Sequence, residues 1–265
     1  LRPGNMFLID TVEGRIVDDA ELKERICKGQ PYGEWLKQGL VTFGRLPDPP
    51  AAAPAEGLPL LVRQRLFGYT HEDLRLISVP MAQNAEEPVG SMGTDTPLAV
   101  LSRKPQLLFN YFKQLFAQVT NPPLDAIREE LVTSVRATLG AEGDLLSPGP
   151  DNCKQLEIET PILGNAQLGR LKGQHSGTFR AVTLSLLYPV KAGPEGLEQA
   201  LNALCRAASA AVAEGKTLLI LSDRGAKPAH VPIPSLLATA AVHHHLIRNR
   251  ERTRASLIVE SGEPR

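Results

Sequence analysis

The most constraining stretch of this chain is Thr217-Leu-Leu-Ile-Leu-Ser222, in which four consecutive apolar residues show no alternation with polar ones. A strand with one wet face alternates; a strand that is apolar throughout must be covered on both sides. An alanine-rich helical pattern over residues 195–214, closed by Gly215, precedes it. A second helical pattern over residues 235–248 and an apolar run over residues 256–260 follow it. Residues 155–159 and 181–188 read as further strands. Strands alternating with helices predict an α/β fold, a parallel sheet covered on both faces.

The first half reads differently. Residues 6–10 and 15–17 flank the turn signal Glu13-Gly14, which predicts a short N-terminal hairpin. Asp18 and Asp19 stand where a helix start favours negative charge, ahead of Leu22 and Ile26 on one face, and Gly29 and Pro31 end that helix. One or two further turns cover residues 32–37. From residue 44 to 59 the chain carries Pro47, Pro49, Pro50 and Pro54 among alanines, the composition of an extended, semi-rigid connector. Beyond it, residues 58–67 form a short helix, and Thr70-x-x-Asp73 is a capping box opening another that runs to Val79. Residues 80–96 lack periodicity and read as a loop. Residues 105–118 read as an aromatic-rich helix with Leu108, Tyr111, Phe112, Leu115 and Phe116 at core spacing. Thr120-Asn-Pro-Pro123 breaks it, and residues 125–139 read as one more helix closed by Gly140.

Charge and cysteine usage exclude several function classes. The 29 basic and 29 acidic side chains cancel, so nothing recruits the chain to nucleic acid or an anionic membrane. No apolar run reaches the roughly 20 residues that span a bilayer. Cys27, Cys153 and Cys205 are too few and too scattered for a disulfide framework, a metal knuckle or an iron–sulfur site; they read as inert, mostly buried thiols in a reducing compartment. His243, His244 and His245 are successive helical residues pointing about 100° apart, so they do not converge on one metal. The chain holds no phosphate-loop motif, dinucleotide fingerprint or nucleophile elbow.

In parallel α/β sheets functional groups gather where strands end. Three such places stand out. Asp223 and Arg224 follow the apolar strand and either orient a ligand or pin a loop by a local ion pair. Glu260 ends the last strand, at a junction or interface. The loop over residues 88–97, with Gly90 and Gly93, lines a cavity or lies on the surface. The chain starts at Leu1 and stops five residues after a buried strand, which reads as an internal piece of a longer polypeptide.

Particular stretches go further. Leu1-Arg-Pro-Gly-Asn-Met-Phe-Leu-Ile-Asp-Thr-Val-Glu-Gly-Arg-Ile-Val-Asp-Asp19 and Pro31-Tyr-Gly-Glu-Trp-Leu36 resemble the end of the amidotransferase domain in glutamate synthase large subunits. Phe67-Gly-Tyr-Thr-His-Glu-Asp-Leu74 resembles the opening of the central domain of the same family. Glu87-Pro-Val-Gly-Ser-Met-Gly-Thr-Asp-Thr-Pro-Leu-Ala-Val-Leu-Ser102, Gln118-Val-Thr-Asn-Pro-Pro-Leu-Asp-Ala-Ile-Arg-Glu129, Leu219-Ile-Leu-Ser-Asp-Arg-Gly225 and Leu257-Ile-Val-Glu-Ser-Gly-Glu-Pro-Arg265 continue the likeness in order.

The resemblance implies a division into residues 1–44, the end of the glutaminase domain, 45–60, the connector, and 61–265, the central domain. It also implies an incomplete (β/α)-barrel-like sheet related to the family's flavin barrel but holding no flavin. The parent carries FMN and an iron–sulfur cluster elsewhere and makes glutamate from glutamine and 2-oxoglutarate. Its ammonia travels through a tunnel that Met92, Thr120 and Asn121 would help to line. The implied partners are the glutaminase and FMN-binding domains of the same chain; the implied location is cytoplasmic, or the plastid stroma for a plant-type parent. Class-II amidotransferases use an N-terminal cysteine, and Leu1 is not one, so the segment alone is expected to be inactive. Two rivals stand beside this. One is a self-sufficient α/β flavin-binding enzyme working through Asp223, Arg224 and Glu260. The other is an interaction module docking separate glutaminase and synthase chains.

Overall fold

The computed structural model describes residues 3–48, 58–88, 97–112 and 124–264. Met92, Thr120, Asn121, nearly all of the loop over residues 88–97 and most of the proline-rich connector lie outside them.

The N-terminal part folds as its signals direct. Strands β1 (Leu8–Asp10) and β2 (Arg15–Val17) make an antiparallel hairpin. The Asp18 carboxylate accepts from the Glu21 backbone N–H at 3.0 Å and starts α1 (Asp19–Cys27), and α2 (Tyr32–Gly39) follows. Strand β3 (Val41–Thr42) then leads towards the main body, which begins with α3 (Leu60–Leu66). The Thr70–Asp73 capping box forms as expected, opening α4 (His71–Asp73).

The core is a three-stranded parallel sheet in the order β10–β8–β6, made of β6 (Ala181–Ser185), β8 (Leu218–Ser222) and β10 (Ser256–Glu260). Two helices supply the crossovers that parallel pairing requires: α8 (Gly193–Ala213) between β6 and β8, and α9 (Ser235–Arg248) between β8 and β10. Every residue of β8 is buried, which is why its sequence does not alternate. Leu219 and Leu221 face one cluster with Leu204, Ala208 and Val242 of the two helices. Leu218 and Ile220 face the other with Leu156, Leu168 and Leu171. Each fully buried leucine or isoleucine contributes about 1.5–3 kcal/mol.

Both faces of the sheet are covered, the second not by helices alone. That second face is covered by a small mixed sheet, in which β5 (Leu156–Ile158) pairs parallel with β3 and antiparallel with β4 (Ala137–Leu139), together with α7 (Asn165–Lys172). Past β6 the expected strand over residues 181–188 breaks, and β7 (Leu187–Pro189) pairs antiparallel with β9 (His230–Pro232). No closed barrel forms among the described residues; the architecture is α/β, with an incomplete, barrel-like parallel sheet.

Other sequence expectations shift locally. The helix expected over residues 125–139 is α6 (Ala126–Val132) only, because Ala137–Leu139 gain ladder bonds and Leu139 a buried place against β5. Gly140, at φ +143°, is no left-handed helix cap. Pro80 does not end its helix: a π-turn at Leu74–Ser78 carries the chain into α5 (Val79–Asn84), and the wide turn accommodates the missing donor and the ring of Pro80. Within the expected aromatic helix, Leu108–Phe112 is a 3-10 turn with Tyr111 and Phe112 exposed, not core; residues 113–118 lie outside the described residues.

Candidate functional site

Parallel pairing delivers the ends of β8 and β10 to one edge, with Ser222 directly opposite Glu260. Glu260 is the hub of that edge. Its side chain is 9% exposed, and its carboxylate accepts from Lys172 Nζ at 2.6 Å, from Arg224 Nε at 2.6 Å and from Ser222 Oγ. Lys172 is the last residue of α7, and the Arg224 guanidinium also donates to Asn165 Oδ1, at the first residue of that helix, at 3.2 Å. One carboxylate therefore ties the two strand ends to the helix that covers the second face.

Asp223 behaves differently although it stands in the same row. Its backbone N–H donates to the Glu260 carbonyl at 3.1 Å. Its carboxylate turns away from Arg224 and accepts from Ser261 Oγ and from the Gly262 N–H. The local Asp223–Arg224 ion pair of the sequence reading is thus replaced by an Arg224–Glu260 pair across strands. Glu263 completes the edge by accepting from the Ser235 N–H at 2.7 Å and from its hydroxyl at 2.6 Å, so it caps α9, where Pro234 offers no side-chain cap.

The two carboxylates are pushed in opposite directions. Burial alone would raise the pKa of Glu260, but its hydrogen bonds from Lys172, Ser222 and Arg224 outweigh burial and hold it below the usual glutamate value. For Asp223 burial wins over the donors Ser261 and Gly262, aided by repulsion from Glu263 and Glu260, and its pKa is raised.

A cavity of about 610 Å³ opens above this edge. The strand-end loops supply one wall, with Asp223, Lys227 and Gly262, and α3 and its C-terminal flank supply the other, with Arg63, Leu66 and Phe67. The two walls meet closely, since a Cβ on Gly262 would lie 2.6 Å from ring carbons of Phe67.

The structure thus brings Asp223, Arg224 and Glu260 together, while the sequence-predicted Met92, Thr120 and Asn121 lie outside the described residues. Sequence reasoning missed Lys172, Asn165 and the α3 wall. The spacing of Leu168 and Leu171, both buried, was the available signal for α7. His245 Nε2 lies 3.0 Å from Ser209 Oγ, His243 Nδ1 accepts from Arg252 Nε at 2.9 Å, and the His243 and His244 rings meet edge to face with centroids 5.1 Å apart. No group of three potential metal ligands occurs among the described residues. Cys205 is buried, Cys153 half-buried and Cys27 exposed, so Cys27 departs from the expected burial. No helix among the described residues is long and apolar enough to cross a membrane.

An open parallel α/β sheet, barrel-like but unclosed and with its polar groups gathered at the carboxyl ends of the strands, defines a barrel-related α/β domain behind a small N-terminal unit. Residues 62–265 match the glutamate synthase central domain, and residues 1–35 match the class-II glutamine amidotransferases. The chain belongs to the glutamate synthase central domain family. It is 48% identical over 265 residues to the glutamate synthase [NADPH] large chain of Bacillus subtilis, covering 100% of this chain and 17% of that one. It is 39% identical over 266 aligned positions to the chloroplastic ferredoxin-dependent glutamate synthase of Spinacia oleracea, covering 99% and 16% respectively. Against ferredoxin-dependent glutamate synthase 2 of Synechocystis the identity is 41% over 267 positions, covering 99% and 17%. The chain therefore spans about a sixth of the length of these relatives.

Proposed function

We propose that this chain is the joining segment of a glutamate synthase. Residues 1–44 close a glutaminase domain, 45–60 connect, and 61–265 form the central domain that sets the glutaminase against an FMN-binding domain carrying an iron–sulfur cluster. Ammonia released from glutamine passes along a path walled in part by Met92, Thr120 and Asn121 and is combined with 2-oxoglutarate in the next domain. The segment performs neither half-reaction itself. The observation that carries this reading is order along the chain: an amidotransferase match ends at residue 35, a central-domain match starts at residue 62, and the likeness to whole glutamate synthases runs through both.

The physical requirement agrees with the residue types. Ammonia that reaches bulk water near neutral pH is protonated, and an ammonium ion carries a heavy desolvation cost in a narrow apolar path. An apolar methionine beside a few hydrogen-bonding groups excludes water while keeping a neutral polar guest in place. The thiols of this chain do not fit a cluster, with Cys27 exposed on α1 and Cys205 buried in α8, so the iron–sulfur ligands belong to the rest of the parent.

The test uses the whole enzyme. Met92→Ala with Asn121→Ala should make glutamine hydrolysis outrun glutamate formation, measured as the ratio of the two rates under saturating reductant. Rates that stay matched would remove the tunnel assignment. Near-stoichiometric flavin on the 265-residue chain would instead favour the self-sufficient enzyme working through Asp223, Arg224 and Glu260.

A further inference from the structure

The ion pairs at the strand edge leave two cations over. Glu260 already answers Lys172 and Arg224, so these three groups with Ser222 form one network. Arg63, on α3, and Lys227, on the loop after β8, line the cavity from opposite walls, and neither side chain makes an ion pair or hydrogen bond with another described residue. The remaining carboxylate in the lining is Asp223, whose Ser261 and Gly262 donors hold one of its oxygens. The lining sets the cations Arg63, Arg224 and Lys227 against the carboxylates Asp223 and Glu260, so it keeps an excess of positive charge. On the same wall as Arg63, Leu66 and Phe67 make the lining aliphatic and aromatic.

We propose that the cavity between α3 and the carboxyl ends of β8 and β10 is a binding site for a small aliphatic carboxylate, most favourably a short dicarboxylate, held by Arg63 and Lys227. The guanidinium offers a planar fork to one carboxylate, the ammonium a point charge to the other. Leu66 and Phe67 cover the methylene chain between them. A mostly apolar, charge-bearing pocket at the carboxyl ends of an open parallel sheet is where such folds place ligands. The proposal does not rest on the ammonia path and stands or falls independently of it.

The experiment is a calorimetric titration of the 265-residue chain with succinate at fixed ionic strength, with inorganic phosphate in a parallel arm. Succinate is expected to bind saturably at one site. Arg63→Gln with Lys227→Gln should weaken it at least about tenfold, while Arg103→Gln with Lys104→Gln, two exposed cations elsewhere, should leave it unchanged. Acylation of Lys227, followed by mass spectrometry, should slow in the presence of succinate while that of Lys104 does not; this readout needs no variant. The proposal is overturned if succinate shows no saturable binding, if both double variants bind it alike, or if Lys227 is not protected. It is also overturned if phosphate binds the same cations more tightly than succinate, which would mark the pocket as a phosphate site.

Discussion

Glu260→Gln is the most informative single perturbation, because it keeps the shape of the side chain and removes its charge. In the folded chain the carboxylate is 9% exposed and accepts from Lys172 Nζ and Arg224 Nε, each at 2.6 Å, and from Ser222 Oγ. Arg224 is 52% exposed at its side chain, so solvent screens that pair, and its loss is worth at most about 1 kcal/mol. Lys172 is 31% exposed, and a charge-assisted bond in such a place contributes about 1–2 kcal/mol. The variant should therefore lose about 1–3 kcal/mol, a fall in Tm of roughly 2–12 °C for a chain this size. The sign with pH follows from the lowered pKa of Glu260. A carboxyl depressed in the folded state stabilises above its unfolded pKa, and that contribution is lost as pH falls through the folded value. Denaturant unfolding of both proteins from pH 7 downward should show the full gap at neutral pH, closing only below the ordinary glutamate range. A variant within about 0.5 kcal/mol of the parent at pH 7, or a gap that does not change on acidification, would refute the hub role of Glu260.

Three further outcomes are expected. Glu263→Ala strips the cap from α9 and leaves the Ser235 N–H and hydroxyl without that acceptor, costing about 1–2 kcal/mol by denaturant unfolding. Asp223→Asn removes a charge that burial disfavours. A carboxyl with a raised pKa costs stability above its folded pKa and not below, so the variant should match or exceed the parent at pH 7 and lose that advantage on acidification. In a thiol titration under native conditions, exposed Cys27 should react first and Cys205, buried and with its pKa raised by burial, only on unfolding.

What was legible in the sequence is what one short segment can encode alone. Five buried positions in a row make β8 readable without its neighbours, and the Asp18 and Thr70 caps close within three residues of themselves. Asp223, Arg224 and Glu260 were legible as strand ends, but not as partners of particular groups. Arg224 bonds a residue 36 positions away and Lys172 reaches 88, so no local pattern distinguishes the Arg224–Glu260 pair from the simpler Asp223–Arg224 one. Strand β4 was read as helix for the same reason: three residues of Ala-Thr-Leu acquire their state from β5. The α3 wall depends on Gly262 leaving room for Phe67, a contact between residues nearly two hundred positions apart.

The opposed pKa shifts of Glu260 and Asp223 divide the labour of the strand edge. Both carboxylates are withdrawn from solvent at the ends of neighbouring parallel strands, Glu260 as the last residue of β10 and Asp223 one residue past β8, so burial alone would push them the same way. The difference lies in the donors: two cations and a hydroxyl on Glu260, a hydroxyl and one backbone N–H on Asp223. Glu260 therefore keeps its charge to lower pH than an ordinary glutamate and goes on holding β8, β10 and α7 together, while Asp223 takes up a proton at higher pH than an ordinary aspartate. Neutralising Asp223 makes the cavity wall more positive. The edge thus combines a fixed clamp, set by Glu260, with a chargeable cavity wall, set by Asp223. Their separation comes from α7 supplying Lys172 to one carboxylate and no cation to the other.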